Sequence, residues 1–344
     1  MTTNLPCAPD RIDDFLSRPS PTLVKAAGSL AAPVGVLGAG GKMGLHVASM
    51  VRRALDEAGR PEVPVYAISR FTSVHSADEF RARGIEVLVA DLLDPAALAA
   101  LPDLGTVYFL AGMKFGSADN PDLLRQFNEV MPTMVAERYR SACIVALSSG
   151  CVYPFTAVES GGSREGDELV PNGDYAASCI GRERAFAGAS ERHDIPVTLV
   201  RLNYSVEFRY GVLVDIAQKV LAGGEIDVTM GSFNAIWQRD AVEHIIRCVE
   251  IVRSPACPIN ITGLPILSVR DLAGRFASAF GKEAVIVGKE ASTVWLADPS
   301  RAHRLFGRPE VDVEQMILWV SAWLANGGTT LGKPTKFERR DGKY

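Results

Sequence analysis

From residue 33 onward, short apolar β-rich runs alternate with longer stretches of helical periodicity, and this alternation restricts the fold more than any single motif. The runs are PVGVLG (33–38), VPVYAIS (63–69), IEVLVAD (85–91), GTVYFLAG (105–112), ACIVALSS (142–149) and PVTLVRL (196–202). Helical patterns fill the gaps over 42–58, over NPDLLRQFNEVMPTMVAERYR (120–140), and over roughly 173–192. Strands joined by helical crossovers lie parallel, and a parallel sheet needs helices on both faces. The pattern therefore predicts an α/β fold: a doubly wound parallel sheet with a smaller mixed C-terminal lobe. After residue 203 the alternation loosens. GVLVDIAQKVLAGG and RDAVEHIIRCVEIV read as helices, EIDVTM as a short strand, and CPINIT as a strand returning to the main sheet.

The expected partition is an N-terminal extension (1–32), a nucleotide-binding domain (33–205 and 234–262) and a lobe with a tail (206–233 and 263–344). At 344 residues there is room for this, and 47% hydrophobic against 22% charged residues is ordinary globular composition. A net charge of −4 gives no bulk attraction for nucleic acid or an anionic membrane. No apolar run reaches membrane-spanning length, and the first thirty residues interleave Asp, Arg and Pro, without the core of a signal peptide. The 6 cysteines include no C-x-x-C pair, and the 5 histidines are dispersed. Reduced thiols, no metal site and a cytoplasmic location are the expectation.

Within VGVLGAGGKMG, Gly38, Gly41 and Gly44 stand at G-x-x-G-x-x-G spacing, after a strand and opening a helix. Such glycines allow a tight turn and close backbone approach, with the helix N-terminus facing a pyrophosphate. Gly38, Gly41, Lys42, Met43 and Gly44 are thus candidates for binding a dinucleotide. The second strand ends in Ser69-Arg70 where an acidic residue would hold a ribose 2′-hydroxyl. A guanidinium there suits a 2′-phosphate and favours NADP, with NAD possible. Asp91 and Leu92 either meet the adenine edge, or Asp91 caps the helix before PAAL.

At this point the chain resembles the extended short-chain dehydrogenase/reductase family, in its NAD(P)-dependent epimerase/dehydratase branch, over roughly 33–262. ALSSGCVYP resembles the family's Ser/Thr-x-x-x-Tyr segment, which makes Ser149 the residue that binds the reacting oxygen. PNGDYAASCIGRERAF resembles the catalytic helix with its Tyr-x-x-x-Lys pattern; Tyr175 matches, and Cys179 stands where the lysine belongs. The resemblance implies a Rossmann domain and redox chemistry at a hydroxyl or keto carbon, with Tyr175 as acid/base. A phenol has a pKa near 10, so only about one in a thousand is ionised at pH 7. The family's lysine, one helical turn on, stabilises the phenolate and binds the nicotinamide ribose. A neutral thiol supplies no charge.

Three readings follow. Another cation substitutes, with Lys114 of LAGMKFG the candidate, in a loop whose Leu110, Ala111 and Gly112 would line the nicotinamide half of the cofactor. Alternatively the protein binds NADP(H) as a sensor or scaffold with little chemistry. The third, a nucleophilic Cys179, carries little weight, because helix-interior cysteines usually pack as small hydrophobes.

On the substrate side, VRLNYSVEFRYG loosely matches the family's Arg–Asn segment, offering Asn203 and Arg209, with Arg201 a further arginine. Trp237 and Gln238 of NAIWQRDAVEHI are placed to line a pocket, and Asp240 to cap a helix. The family often acts on nucleotide sugars, but no diphosphate-binding cluster is evident. The expected partner is a small molecule of sugar-derived type. The helices at 119–140 and 173–192 are those through which the family often forms homodimers.

Overall fold

A computed structural model describes residues 5–113 and 120–342. Seven strands form one parallel sheet: β1 (Val34–Leu37), β2 (Val65–Ser69), β3 (Glu86–Val89), β4 (Thr106–Phe109), β5 (Cys143–Ser149), β6 (Val197–Leu202) and β7 (Cys257–Ile261). Their order is β7-β6-β5-β4-β1-β2-β3, so the direction of winding reverses between β1 and β4. Crevices at such a reversal, beyond the carboxyl ends of the strands, receive ligands in open α/β sheets. The segment CPINIT does return to the main sheet, with Ile259 opposite Val200.

Alternate residues on each strand feed two separate cores, as a pleated strand requires. Val34, Val36, Val65, Ala67, Tyr108 and Val145 face one side. Leu37, Ile68, Val107, Phe109, Ile144 and Ala146 face the other. Both faces are apolar, which is why these strands read as continuous hydrophobic runs.

The helices of ten residues or more among the described residues are α1 (Gly44–Glu57), α2 (Asp174–His193), α3 (Val212–Ala222), α4 (Gln238–Arg247), α5 (Val269–Phe280) and α6 (Val313–Ala325). Helices α3, α5 and α6 pack around a further core of Phe208, Trp237, Phe276 and Trp323. The N-terminal segment contributes to two cores: Ile12 and Leu16 lie in the lobe's, while Leu23, Ala27 and Leu30 lie against α1.

The long helix expected over 120–140 is built in three pieces: Pro121–Arg125, a π-helical turn at Gln126–Val130, and Met131–Arg138. Pro132 has no N–H to donate to the carbonyl of Asn128, which breaks the α-helical ladder there. The widened turn carries a fully buried Asn128.

On α4, His244 packs against Phe306 and His303, with its Nδ1 buried and without a hydrogen-bond partner. Burial first, then the neighbouring His303 and Arg247 charges, hold its imidazole down to about 3. An unfolded histidine titrates near 6.5. The folded state therefore binds fewer protons between these values, and stability is lost as pH falls from about 6.5 towards 3. The full shift corresponds to roughly 4–5 kcal/mol. In urea unfolding from pH 7 to 4, His244→Leu should show a visibly shallower loss of stability than the parent. An unchanged slope would refute this role.

Candidate active site

The turn after β1 approaches the end of β4 closely. Gly38 has φ +81, and a Cβ there would lie 2.5 Å from the backbone nitrogen of Ala111. At Gly44, where α1 begins, a Cβ would lie 2.0 Å from the carbonyl oxygen of Ala39. The first position thus needs a left-handed conformation, and the last needs a helix packed directly on its own turn. At Gly41 an added Cβ would meet only the Gly38 oxygen, at 3.3 Å.

A cavity of about 480 Å³ opens beyond this turn. Gly38, Gly41, Lys42, Met43 and Gly44 form one wall, Leu110 and Gly112 a second, and Ser149, Tyr175 and Asn203 the floor. A smaller adjoining pocket of about 180 Å³ collects Ser69, Arg70, Asp91, Leu92, Leu110, Ala111 and Gly112. There Arg70 lies 3.5 Å from the Asp91 carboxylate and 5.2 Å from the Phe127 ring centroid. Asp91 is not a helix cap. Asp94 takes that role through Ala96 N–H, while Asp91 accepts from Leu93 N–H.

Ser149 ends β5, and its Oγ accepts from the Cys151 N–H at 3.3 Å. Beside it, Ser148 donates to Glu183 of α2 at 2.6 Å. Glu183 also holds Arg201 of β6, with Arg201 Nη2 2.7 Å from Oε2. Arg201 in turn donates to the Tyr153 hydroxyl at 2.7 Å, which donates to Asn260 of β7 at 2.8 Å. Arg201 is therefore a buried structural cation and no part of the cavity wall.

Tyr175 lies in the first turn of α2, with Cys179 one turn on and fully buried. The Tyr175 hydroxyl and the thiols of Cys179 and Cys151 are linked by hydrogen bonds. Burial first, then Cys179 and Cys151, push the Tyr175 phenol well above its ordinary value, and Arg182 opposes them. The hydrogen bond from Cys151 holds the Cys179 thiol below its ordinary range against its burial, helped by Arg182 and Tyr175.

Some candidates fall outside the cavity. Trp237 is 0% exposed and packs against Phe208 and Trp319, with centroids 4.9 and 5.1 Å away. Its size and apolar ring place it in the lobe's core. Arg209 is engaged by Glu207 and by Asp13 of the N-terminal segment. Gln238 is buried against His46. Asp240 accepts from Val311 N–H and caps no helix. Lys114 lies outside the described residues.

Tyr210, of the same EFRYG segment as Arg209, does line the cavity, while other wall residues were not singled out from the sequence: Cys151, Tyr204, Trp295, and Leu331, Lys333 and Thr335 of the tail. Cys151 had a local signal, two residues beyond Ser149. The tail had none, because its position depends on long-range contacts such as Thr335 to Asp215.

The NAD dependent epimerase/dehydratase family model matches residues 34–249. No curated protein matches the chain in sequence. Among solved structures, UDP-glucuronic acid 4-epimerase from Bacillus cereus in complex with NAD superposes with TM-score 0.70 at 18% identity, covering 85% of this chain and 98% of that one. MoeE5 in complex with UDP-glucose and NAD gives 0.69 at 18%, over 86% and 99%. A UDP-galactose 4-epimerase gives 0.68 at 21%, over 86% and 99%.

The glycine geometry yields a differential test. Gly38→Ala should cost about 2–3 kcal/mol through strain and overlap, and Gly41→Ala no more than about 1. Urea midpoints of the two variants decide it; equal losses would contradict the assignment.

Proposed function

The chain belongs to the NAD dependent epimerase/dehydratase family, and from that premise we propose that it acts on a hydroxyl or keto carbon of a small, sugar-like substrate, using NADP(H). The observation that carries the reading is the convergence of Ser149, Tyr175 and the glycine turn on one cavity. The turn fits a dinucleotide: Gly38, Gly41 and Gly44 present backbone without side chains along the cavity wall. Gly38, Gly41, Lys42, Met43 and Gly44 would hold the pyrophosphate and Ser69, Arg70, Asp91 and Leu92 the adenosine side, while Leu110 and Gly112, which line both pockets, and Ala111 would run between it and the nicotinamide half. When bound, a nicotinamide dinucleotide supplies a hydride acceptor or donor.

The chain's own residues supply proton transfer and positioning. Ser149 Oγ accepts from Cys151 N–H, which leaves its own hydrogen free to be donated to a substrate oxygen. Tyr175, from the adjacent helix, exchanges a proton with that oxygen. With its pKa raised, the phenol stays protonated near neutrality and suits donation to a carbonyl oxygen as the carbon is reduced. The same pair serves net oxidoreduction or redox-neutral epimerisation and dehydration.

Arg70 and Ser69, at the mouth of the smaller pocket, support a 2′-phosphate and hence NADP. Arg70→Ala should lower affinity for NADP by about ten- to a hundredfold, on the scale of one charge-assisted hydrogen bond, and leave NAD nearly unaffected. Titration with each dinucleotide checks this.

The raised phenol and the missing lysine favour one competing reading, a cofactor-binding sensor with little chemistry. Tyr175→Phe separates the two. Catalysis predicts a loss of turnover by about 10²–10⁴ with dinucleotide affinity retained. Tight dinucleotide binding without hydride exchange against a panel of sugars and hydroxy acids would instead establish the sensor.

A further inference from the structure

We propose that Arg182 takes the electrostatic place of the lysine that α2 lacks at position 179, holding a positive charge beside Tyr175 and Cys179. The proposal rests on the reading of Tyr175 as the proton-transfer residue. Positions 175, 179 and 182 are spaced i, i+4 and i+7, so they share one face of the helix.

Arg182 is only 6% exposed. Its Nη1 donates to the Leu147 carbonyl at 2.9 Å and its Nη2 to Asn128 Oδ1, while Nε is buried without a partner. It forms no ion pair among the described residues, since its neighbour Glu183 is committed to Arg201. A buried guanidinium satisfied only by neutral acceptors is an uncompensated charge, and such charges are costly unless an anion forms nearby. Among the described residues, its charge acts on the Tyr175 hydroxyl and the Cys179 thiol, and Glu183 acts on that thiol in the opposite sense.

The guanidinium also abuts the cavity. Leu147 and Gly112 line it, and a Cβ at Gly112 would lie 2.1 Å from Arg182 Nη2. Its position is fixed by Asn128 of the π-helical turn, which donates to Ser178 Oγ at 2.8 Å and to the Met113 carbonyl at 3.0 Å. The thiol at 179 then has a physical reason. A lysine there would bring a second cation against Arg182 in a buried site, whereas a small neutral side chain fits. Arg182 acts through Tyr175 and Cys179 and is a positioning residue.

The test needs no substrate. The thiolate absorbance of Cys179, taken as the difference from Cys179→Ala, is titrated in the parent, Arg182→Met and Arg182→Lys. Arg182→Met should raise the midpoint by about one pH unit or more, a tenfold change in ionisation, and Arg182→Lys should restore most of it. An unchanged midpoint in folded Arg182→Met overturns the proposal. If Arg182→Met does not fold, the double variant Cys179→Lys/Arg182→Met decides: recovery of a folded protein supports the exchange of cation positions, and failure to recover it refutes it. Because none of these readouts is turnover, they stand or fall separately from the Tyr175→Phe experiment.

Discussion

The buried ion pair between Arg201 of β6 and Glu183 of α2 determines where the candidate catalytic groups sit. Its side chains are 5% and 4% exposed, and each is multiply hydrogen-bonded. Glu183 lies eight residues, just over two helical turns, beyond Tyr175 on α2. It also accepts from Ser148, the residue before Ser149. Fixing Glu183 therefore fixes the height of Tyr175 relative to Ser149. Arg201 extends the same network through Tyr153 to Asn260, and through the Glu165 carbonyl to the loop crossing above β7. Removing either partner would leave the other as an unpaired buried charge, a larger cost than the pair's own net contribution.

Arg182 and Glu183 are consecutive yet answer to different surroundings. Successive helical residues point about 100° apart, so Glu183 meets β6 while Arg182 meets the π-helical turn and the end of β5. Among the described residues, one charge is neutralised by an opposite charge and the other by dipoles. The neutralised pair is scaffold, and the Arg182 charge acts on Tyr175 and Cys179. Burial and the neighbouring thiols oppose ionisation of the phenol, and among the described residues the Arg182 guanidinium favours it.

The sheet was legible in the sequence because every central strand is buried on both sides, and the glycine turn because a left-handed residue and a helix packed on its own loop admit little else at Gly38 and Gly44. The pocket at the end of β2 and β3 followed from position alone: residues just past parallel strands meet at one sheet edge. Trp237 and Arg209 were not legible in the same way. An aromatic or a cation at a domain junction can face either a cavity or a core, and local sequence does not encode which; here Phe208 and Trp319 claim the first, Glu207 and Asp13 the second. Arg182 escaped notice for a related reason. Its importance lies in the absence of a carboxylate partner among the described residues, a three-dimensional fact.

The tail shows how contacts remote in sequence complete the cavity. Its Gly- and Thr-rich composition gives no reason for order, yet it is pinned at separate points. Thr335 donates twice to Asp215, Phe337 is buried in the lobe's core, and Arg340 bonds Thr293. Between Trp323 and these anchors the chain crosses the cavity mouth, where Leu331, Lys333 and Thr335 face the side holding Ser149 and Tyr175. Burial, largest among its influences, raises the Asp215 carboxyl, and the two Thr335 bonds oppose it, so the anchor itself favours the charged acceptor that holds the tail. The sheet thus sets the chemistry at the floor, while the lobe and the tail set the shape of what reaches it. That division explains why the sequence speaks clearly about the parallel sheet and its glycine turn and says little about the substrate.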